Sequence, residues 1–163
     1  MAVTIQTTQL ICVAQRVVRP TMLSGCVPTR RIPKVFGGIL GRLQNEKDVE
    51  EMKQYEIPAF DLVIVDLYPF EETVKSTDDP AKIIEKIDIG GISLIRAGAK
   101  NFNECVIVPD SKYYQEFMDL YKNQEGCTSI EDRKRFAKYA FATSSHYDGM
   151  MYDWFAKDSE SAD

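Results

Sequence analysis

An acid, a pair of glycines and two cations fall within one short stretch, KIDIGGISLIRAGAKN, residues 86–101. Each of these residue types has a chemical use. A carboxylate such as Asp88 can hold or move a proton. Gly90 and Gly91 let a backbone approach a ligand closely. A helix starting there would turn its first N–H groups, and the positive end of its dipole, toward an anion or a carbonyl oxygen. Arg96 and Lys100 are four residues apart and share one helix face. The same residues also have an ordinary reading, which pattern alone favours. Asp88 would cap a helix at a Gly-Gly turn. The two cations would be solvated near a helix C-terminus, where positive charge is favoured. Gly98 inside such a helix costs about 0.5–1 kcal/mol relative to alanine. Close packing against another element would offset that cost.

A second set follows an apolar run in FDLVIVDLYPF, residues 60–70. If the run is a strand, it delivers Asp66 and Tyr68 to the carboxyl end of a sheet, where open α/β folds bind ligands. On pattern alone a packed ring is favoured for Tyr68 over a polar group in a cleft. His146 in SSHYD could pair with Asp148 or a serine, but no nucleophile elbow precedes it. FGGILGR, residues 36–42, is glycine-rich and is neither a Walker A loop nor a dinucleotide fingerprint.

The elements that must position these residues alternate. NEKDVEEMKQYEI (45–57) reads as an exposed helix capped by Asn45. Leu62 to Val65 is a short β-branched run suited to a strand buried on both faces, and Pro69 ends it. DPAKIIEKID (79–88) is a short helix with Pro80 in its first turn. ECVIVP (104–109) is a second buried strand, followed by an amphipathic helix over 110–124. Thr128 and Glu131 fit a T-x-x-E capping box, with helix continuing toward Phe155. Alternation of this kind predicts an α/β layer fold with a mostly parallel sheet. Only two central strands are readable, so further strands should lie upstream.

Composition narrows the function classes. The chain has 163 residues, 44% hydrophobic, enough for one core. A net charge of -5 argues against nucleic-acid binding. No apolar run approaches the roughly 18 residues of a membrane helix. Cys12, Cys26, Cys105 and Cys127 are scattered and, with the single His146, make no recognisable zinc site; reduced thiols are expected. Residues 1–34 carry five basic residues and no acid. That shift is compatible with a targeting segment, a basic arm, or a stretch foreign to the fold that follows.

Four segments, KVFGGILGR, DLVIVDLYPFEETV, EKIDIGGISLIRAGAKN and AFATSSHYD, together resemble the inosine monophosphate (IMP) cyclohydrolase domain of the bifunctional purine biosynthesis enzymes. In those enzymes an aminoimidazole-carboxamide ribonucleotide transformylase domain follows. The resemblance runs from about Pro33 to Phe155, in the family's order and spacing. It implies a methylglyoxal-synthase-like three-layer sandwich around a mostly parallel sheet, followed by C-terminal helices. It implies closure of a formylated purine ribonucleotide precursor to IMP with loss of water, with no cofactor and no metal. By the same resemblance Lys100 handles the formyl oxygen and departing water, Asp88 meets the carboxamide, and Tyr68 is the site tyrosine. Val65, Asp66, Ile89, Gly90, Gly91, Asn101 and Thr29 would bind substrate, with Asp66 standing where many relatives have asparagine. A cytoplasmic protein, a homodimer, and a separate or downstream transformylase domain are also implied.

The chain departs from that family upstream. Against the relatives' G-G-R-V-K-T-L-H-P motif, LSGCVPTRRIP is one residue longer. It puts Cys26 at the arginine position and Pro28 at a second lysine position. Residues 1–24 lack the relatives' phosphate-cradling loop. The expected organisation is therefore an atypical segment over 1–32 with N-terminal strands missing or altered, a cyclohydrolase-like domain over 33–157, and a polar tail over 158–163. Two alternatives stand beside an active enzyme. One is a degenerate or truncated non-catalytic copy. The other is a methylglyoxal-synthase-like binding or regulatory domain, against which the LYPF and DIGG motifs argue.

Overall fold

Leu62–Val65 forms the central strand of a parallel sheet, and the rest of the chain is arranged around it. The computed structural model of the chain describes residues 3–4, 10–13 and 31–160, with side chains over 33–157. In order come β1 (Val3–Thr4), β2 (Leu10–Val13), α1 (Arg31–Leu40), α2 (Glu46–Gln54) and β3 (Leu62–Val65). Then follow α3 (Phe70–Ser76), α4 (Pro80–Ile84), α5 (Gly90–Lys100), β4 (Val106–Val108), α6 (Tyr114–Asn123), β5 (Cys127–Thr128) and α7 (Ile130–Glu160). The sheet order is β2-β3-β4, all parallel, with Leu10 opposite Leu62 and Leu62 opposite Val106. β1 and β5 form a separate antiparallel pair.

β3 and β4 are apolar throughout because both sheet faces are covered. Val63, Val65 and Ile107 meet Leu94, Ile95 and Ala97 of α5 and Ile39 of α1. Leu62, Val106 and Val108 point the other way, toward Phe117 and Leu120 of α6. α7 contributes to both clusters, Ala137 and Ala140 to the first and Phe136 to the second. Each fully buried side chain of this size stabilises by about 1.5–3 kcal/mol, so the two clusters dominate the fold. The result is a mixed α/β arrangement with helices on both faces of a small parallel sheet.

Several expectations meet the structure directly. Asn45 caps α2: the Asp48 N–H donates to its side-chain oxygen at 3.1 Å. Gly98 is a packing glycine, since a Cβ there would lie 3.0 Å from the Cβ of Ile107. FGGILGR falls within and just beyond α1. A Cβ on Gly38 would lie 2.3 Å from the Pro58 carbonyl oxygen and 2.4 Å from the Phe60 ring. Close helix approach, with no phosphate loop, accounts for that glycine. The further strand expected upstream is β2, in an apolar LICV segment too short to carry a periodic signal. α7 runs to Glu160, into the stretch expected to be a polar tail. Among the described residues no helix is long and apolar enough to cross a membrane. Cys105 is a buried free thiol, and burial pushes it up to about 12.

The cap of α7 is displaced by one residue from the expected pair. Ser129 and Asp132 form it, through Ser129 N–H and hydroxyl bonds to Asp132 at 3.1 and 2.7 Å and a return bond from the Asp132 N–H at 3.0 Å. Thr128 is instead buried in β5, where its carbonyl and hydroxyl accept from Arg133. Burial pushes the Asp132 carboxyl up. Hydrogen bonds from Ser129 and Gln124, with Arg135 nearby, outweigh that and hold it below the usual range. A lowered folded-state pKa contributes stability above the unfolded value near 3.9, and that stability is lost as pH falls. Asp132→Asn should therefore lower stability at neutral pH by about 1 kcal/mol. Its urea midpoint should fall less than the wild-type midpoint between pH 5 and pH 2.

Candidate active site

β3 ends at Val65, so Asp66 and Tyr68 emerge at the C-terminal edge of the sheet. The crossover from β3 to the parallel β4 must return along the sheet, which brings the start of α5 to the same edge. Between them lies a cavity of about 300 Å³. Val65, Asp66, Tyr68, Asp88, Ile89, Gly90 and Gly91 all line it, with Ile84, Glu85, Ile87 and Leu94 completing the wall. The volume is at the lower end of the range for small-molecule sites, about 300–1,000 Å³. Seven of the predicted site residues therefore share one cavity.

Asp88 combines both of its sequence readings. Its Oδ1 accepts from the Gly91 N–H at 2.7 Å, which caps the first turn of α5. A Cβ on Gly91 would lie 2.7 Å from Asp88 Oδ2, so the cap requires glycine there. Gly90 is exposed, and a Cβ added to it would meet nothing within 4 Å. Oδ2 of Asp88 accepts no hydrogen bond from the described residues and is free for a ligand donor.

Other groups hold this wall. The Asp88 N–H donates to the Tyr147 hydroxyl at 2.9 Å, and that hydroxyl donates to the Lys86 carbonyl at 3.1 Å. Burial pushes the Tyr147 phenol up, so it stays a neutral donor. Lys86 Nζ lies 5.4 Å from the centroid of the Tyr68 ring. The Tyr114 hydroxyl donates to Asp66. Asp66 and Tyr68 also border a second cleft of about 650 Å³, reaching Pro109–Tyr113 and the middle of α7. His146 lies in that second cleft, and among the described residues it forms no dyad with Asp148 or a serine. Neither Tyr147 nor Tyr114 was identified from the sequence. Each acts on a residue 48 or more positions away, a distance local pattern cannot span.

Among the described residues, the wall of the first cavity carries Asp66, Glu85 and Asp88 and no lysine or arginine. Such a wall suits the N–H or O–H donors of a ligand and is poorly suited to a phosphate. Lys100 is exposed at the far end of α5, about 15 Å from Gly90 along the helix axis. It has no hydrogen-bond or ion-pair partner among the described residues. Asn101, expected at the ligand, is buried, 8% exposed. Its amide donates to the carbonyls of Ile39 and Gly41 at 2.8 and 3.1 Å, tying α5 to the end of α1. Thr29, Cys26 and Pro28 lie outside the described residues. Asn101→Ala orphans two carbonyls, so it should cost about 2 kcal/mol in urea unfolding. A loss below a few tenths of a kcal/mol would show that the tie is not structural.

The chain is similar to known proteins over most of its length. Residues 98–163 match the family model described as the AICARFT/IMPCHase bienzyme, a span that includes Lys100, Asn101 and Tyr147 but not Asp66, Tyr68 or Asp88. The bifunctional purine biosynthesis protein PurH of Bacteroides thetaiotaomicron is 52% identical over 136 residues, 83% of this chain and 27% of that protein. PurH of Microcystis aeruginosa is 41% identical over 138 residues, 84% of this chain and 27% of its own length. The crystal structure of ForH superposes with a TM-score of 0.61 at 33% identity, covering 76% of this chain and 64% of that one. The chain thus spans about a quarter of the length of the curated relatives it matches. Over that part it is similar to the PurH proteins.

Proposed function

We propose that the cavity between β3 and the start of α5 is the base-handling part of an IMP cyclohydrolase site in purine biosynthesis. One observation carries this reading: Asp66, Tyr68, Asp88 and the Gly90–Gly91 backbone converge on one cavity at the ligand-binding edge of a parallel sheet. The similarity to proteins named for bifunctional purine biosynthesis supports it.

In the proposed reaction the carboxamide nitrogen of the formylated ribonucleotide attacks its own formyl carbon. A C–N bond forms, the carboxamide nitrogen gives up one of its two protons and the formamido nitrogen its single one, and the C–O bond at the former formyl carbon breaks so that its oxygen leaves as water. Asp88 Oδ2 accepts the carboxamide N–H and takes its proton. The Tyr68 hydroxyl bonds the polar edge of the folded substrate. Gly90 and Gly91 let the base lie against the backbone. Holding the formyl and carboxamide groups in contact supplies much of the acceleration. The methylglyoxal-synthase-like sandwich belongs to the same proposal, supported by helices on both faces of the β2-β3-β4 sheet. So do the homodimer, the transformylase partner domain and the cytoplasmic location.

Lys100 is the weakest part of the carried-over site. The length of α5 keeps it from the Asp88 wall within one chain, so a role in the same pocket requires a second chain. A wall without a lysine or arginine among the described residues supports a second reading, a partial copy that retains the fold without turnover. An assay of the purified chain on the formylated substrate, following IMP formation, decides between them. Turnover is expected in the wild type. Asp88→Asn keeps a capping oxygen and should lower kcat about 100-fold. Lys100→Ala should abolish turnover if a second chain brings Lys100 to the pocket and leave it unchanged otherwise. A wild-type chain that unfolds cooperatively yet makes no IMP would establish the non-catalytic copy.

A further inference from the structure

Among the described residues, a single side-chain hydroxyl joins α7 to the wall segment Lys86–Gly91 by hydrogen bonds, that of Tyr147. We infer that Tyr147 is a positioning residue for Asp88. Its hydroxyl fixes the backbone on both sides of Ile87, and so sets where the Asp88 carboxylate and the first turn of α5 stand relative to Tyr68. The inference rests on the cavity being the active site and names a further residue on which that site depends.

The geometry is over-determined at one end. The Tyr147 ring is 3% exposed and packs edge-on to Phe70, with centroids 6.2 Å apart. Phe70 is held in turn by Trp154, at 6.5 Å. The hydroxyl therefore projects from a ring with little freedom of its own. It accepts from one backbone group and donates to another, so its proton is committed to the Lys86 carbonyl. Both bonds go to main chain, so they control position whatever the side chains at 86 and 88 are.

The wall has a matching need. The turn before Asp88 has its own bonds, from the Lys86 and Ile87 N–H groups to the carbonyls of Ile83 and Ile84. The Asp88 N–H and the Lys86 carbonyl are held instead by Tyr147. Asp88 must sit close to Gly91 for its cap, at 2.7 Å, in a gap no larger residue would leave. The ammonium of Lys86, over the Tyr68 ring, extends from the same anchored residue. One hydroxyl thus sets the origin of two groups that meet at the cavity.

Tyr147→Phe tests this, because it keeps the ring and its packing and removes only the hydroxyl. A misplaced wall should lower kcat at least tenfold with KM changed less than about twofold. Amide hydrogen exchange at Asp88 and Gly91 should accelerate at least tenfold while the β4 amides keep their rates. Phe136→Leu, in the cluster on the opposite sheet face, supplies a destabilised control whose kcat stays at the wild-type value. Equal kcat in the two variants, or unchanged exchange at Asp88 and Gly91, would overturn the inference. If the wild type makes no IMP, the functional reading fails, and the exchange rates alone then decide on Tyr147. Local acceleration upholds positioning, and uniform or absent acceleration refutes it.

Discussion

Helix α5 is fixed at both ends and along its middle, and the site depends on that. At its start Asp88 caps the first turn and is itself held by Tyr147. In the middle Leu94 and Ile95 are buried against Val63 and Val65, and in the last turn Gly98 rests against Ile107 of β4. At its end the Asn101 amide bonds two carbonyls of the α1 terminus. Arg133, 2% exposed, adds a further tie from α7. Its guanidinium donates to the carbonyls of Phe102 and Asn103 just beyond α5 and to that of Thr128 in β5. A helix held this way cannot slide or tilt without breaking buried bonds, each costing on the order of 1–3 kcal/mol when left unmade. Its N-terminus is therefore a fixed wall at the C-terminal edge of the sheet.

The same rigidity divides the carried-over site. Asp88 and Lys100 lie in one motif, and as a sequence they suggest a single cluster of acid and base. The helix between them puts one at the C-terminal edge of the sheet and the other at the opposite edge. What remains at the cavity is an acceptor-rich wall of Asp66, Glu85 and Asp88 beside Tyr68. That arrangement is suited to a base carrying N–H groups. Under the proposed function, the charge of the ribonucleotide phosphate is met by groups outside the described part of this wall.

Much of this could be read from the residues, in ways that differ by element. β3 and β4 were readable because burial on both faces leaves an unbroken β-branched run. α2 was readable from Asn45 and α4 from Pro80, since capping and proline chemistry are local. β2 was not, because four apolar residues carry no period to distinguish strand from helix. α1 hid behind the glycines of FGGILGR, whose reason is the approach of Met52, Ile57, Pro58 and Phe60, residues beyond the reach of local pattern. The α7 cap was misplaced by one residue because TSIED offers two overlapping capping pairs, and only the burial of Thr128 in β5 selects Ser129 and Asp132. At the site, the seven residues that meet at the cavity were named in advance. Asn101, named for a ligand, bonds the carbonyls of Ile39 and Gly41. Tyr147, which holds Asp88, was missed because its contact closes over 59 residues.

The central claim is that ligand is handled at the N-terminal end of α5 and not along its whole length. Titration of the isotope-labelled chain with IMP, followed by backbone amide shifts, tests this most directly. The account predicts the largest shifts at Val65–Tyr68 and Ile87–Gly91, with movement at Lys100 only where a second chain brings it to the pocket. Shifts centred on Lys100 and Asn101, or none at saturating IMP, would contradict it.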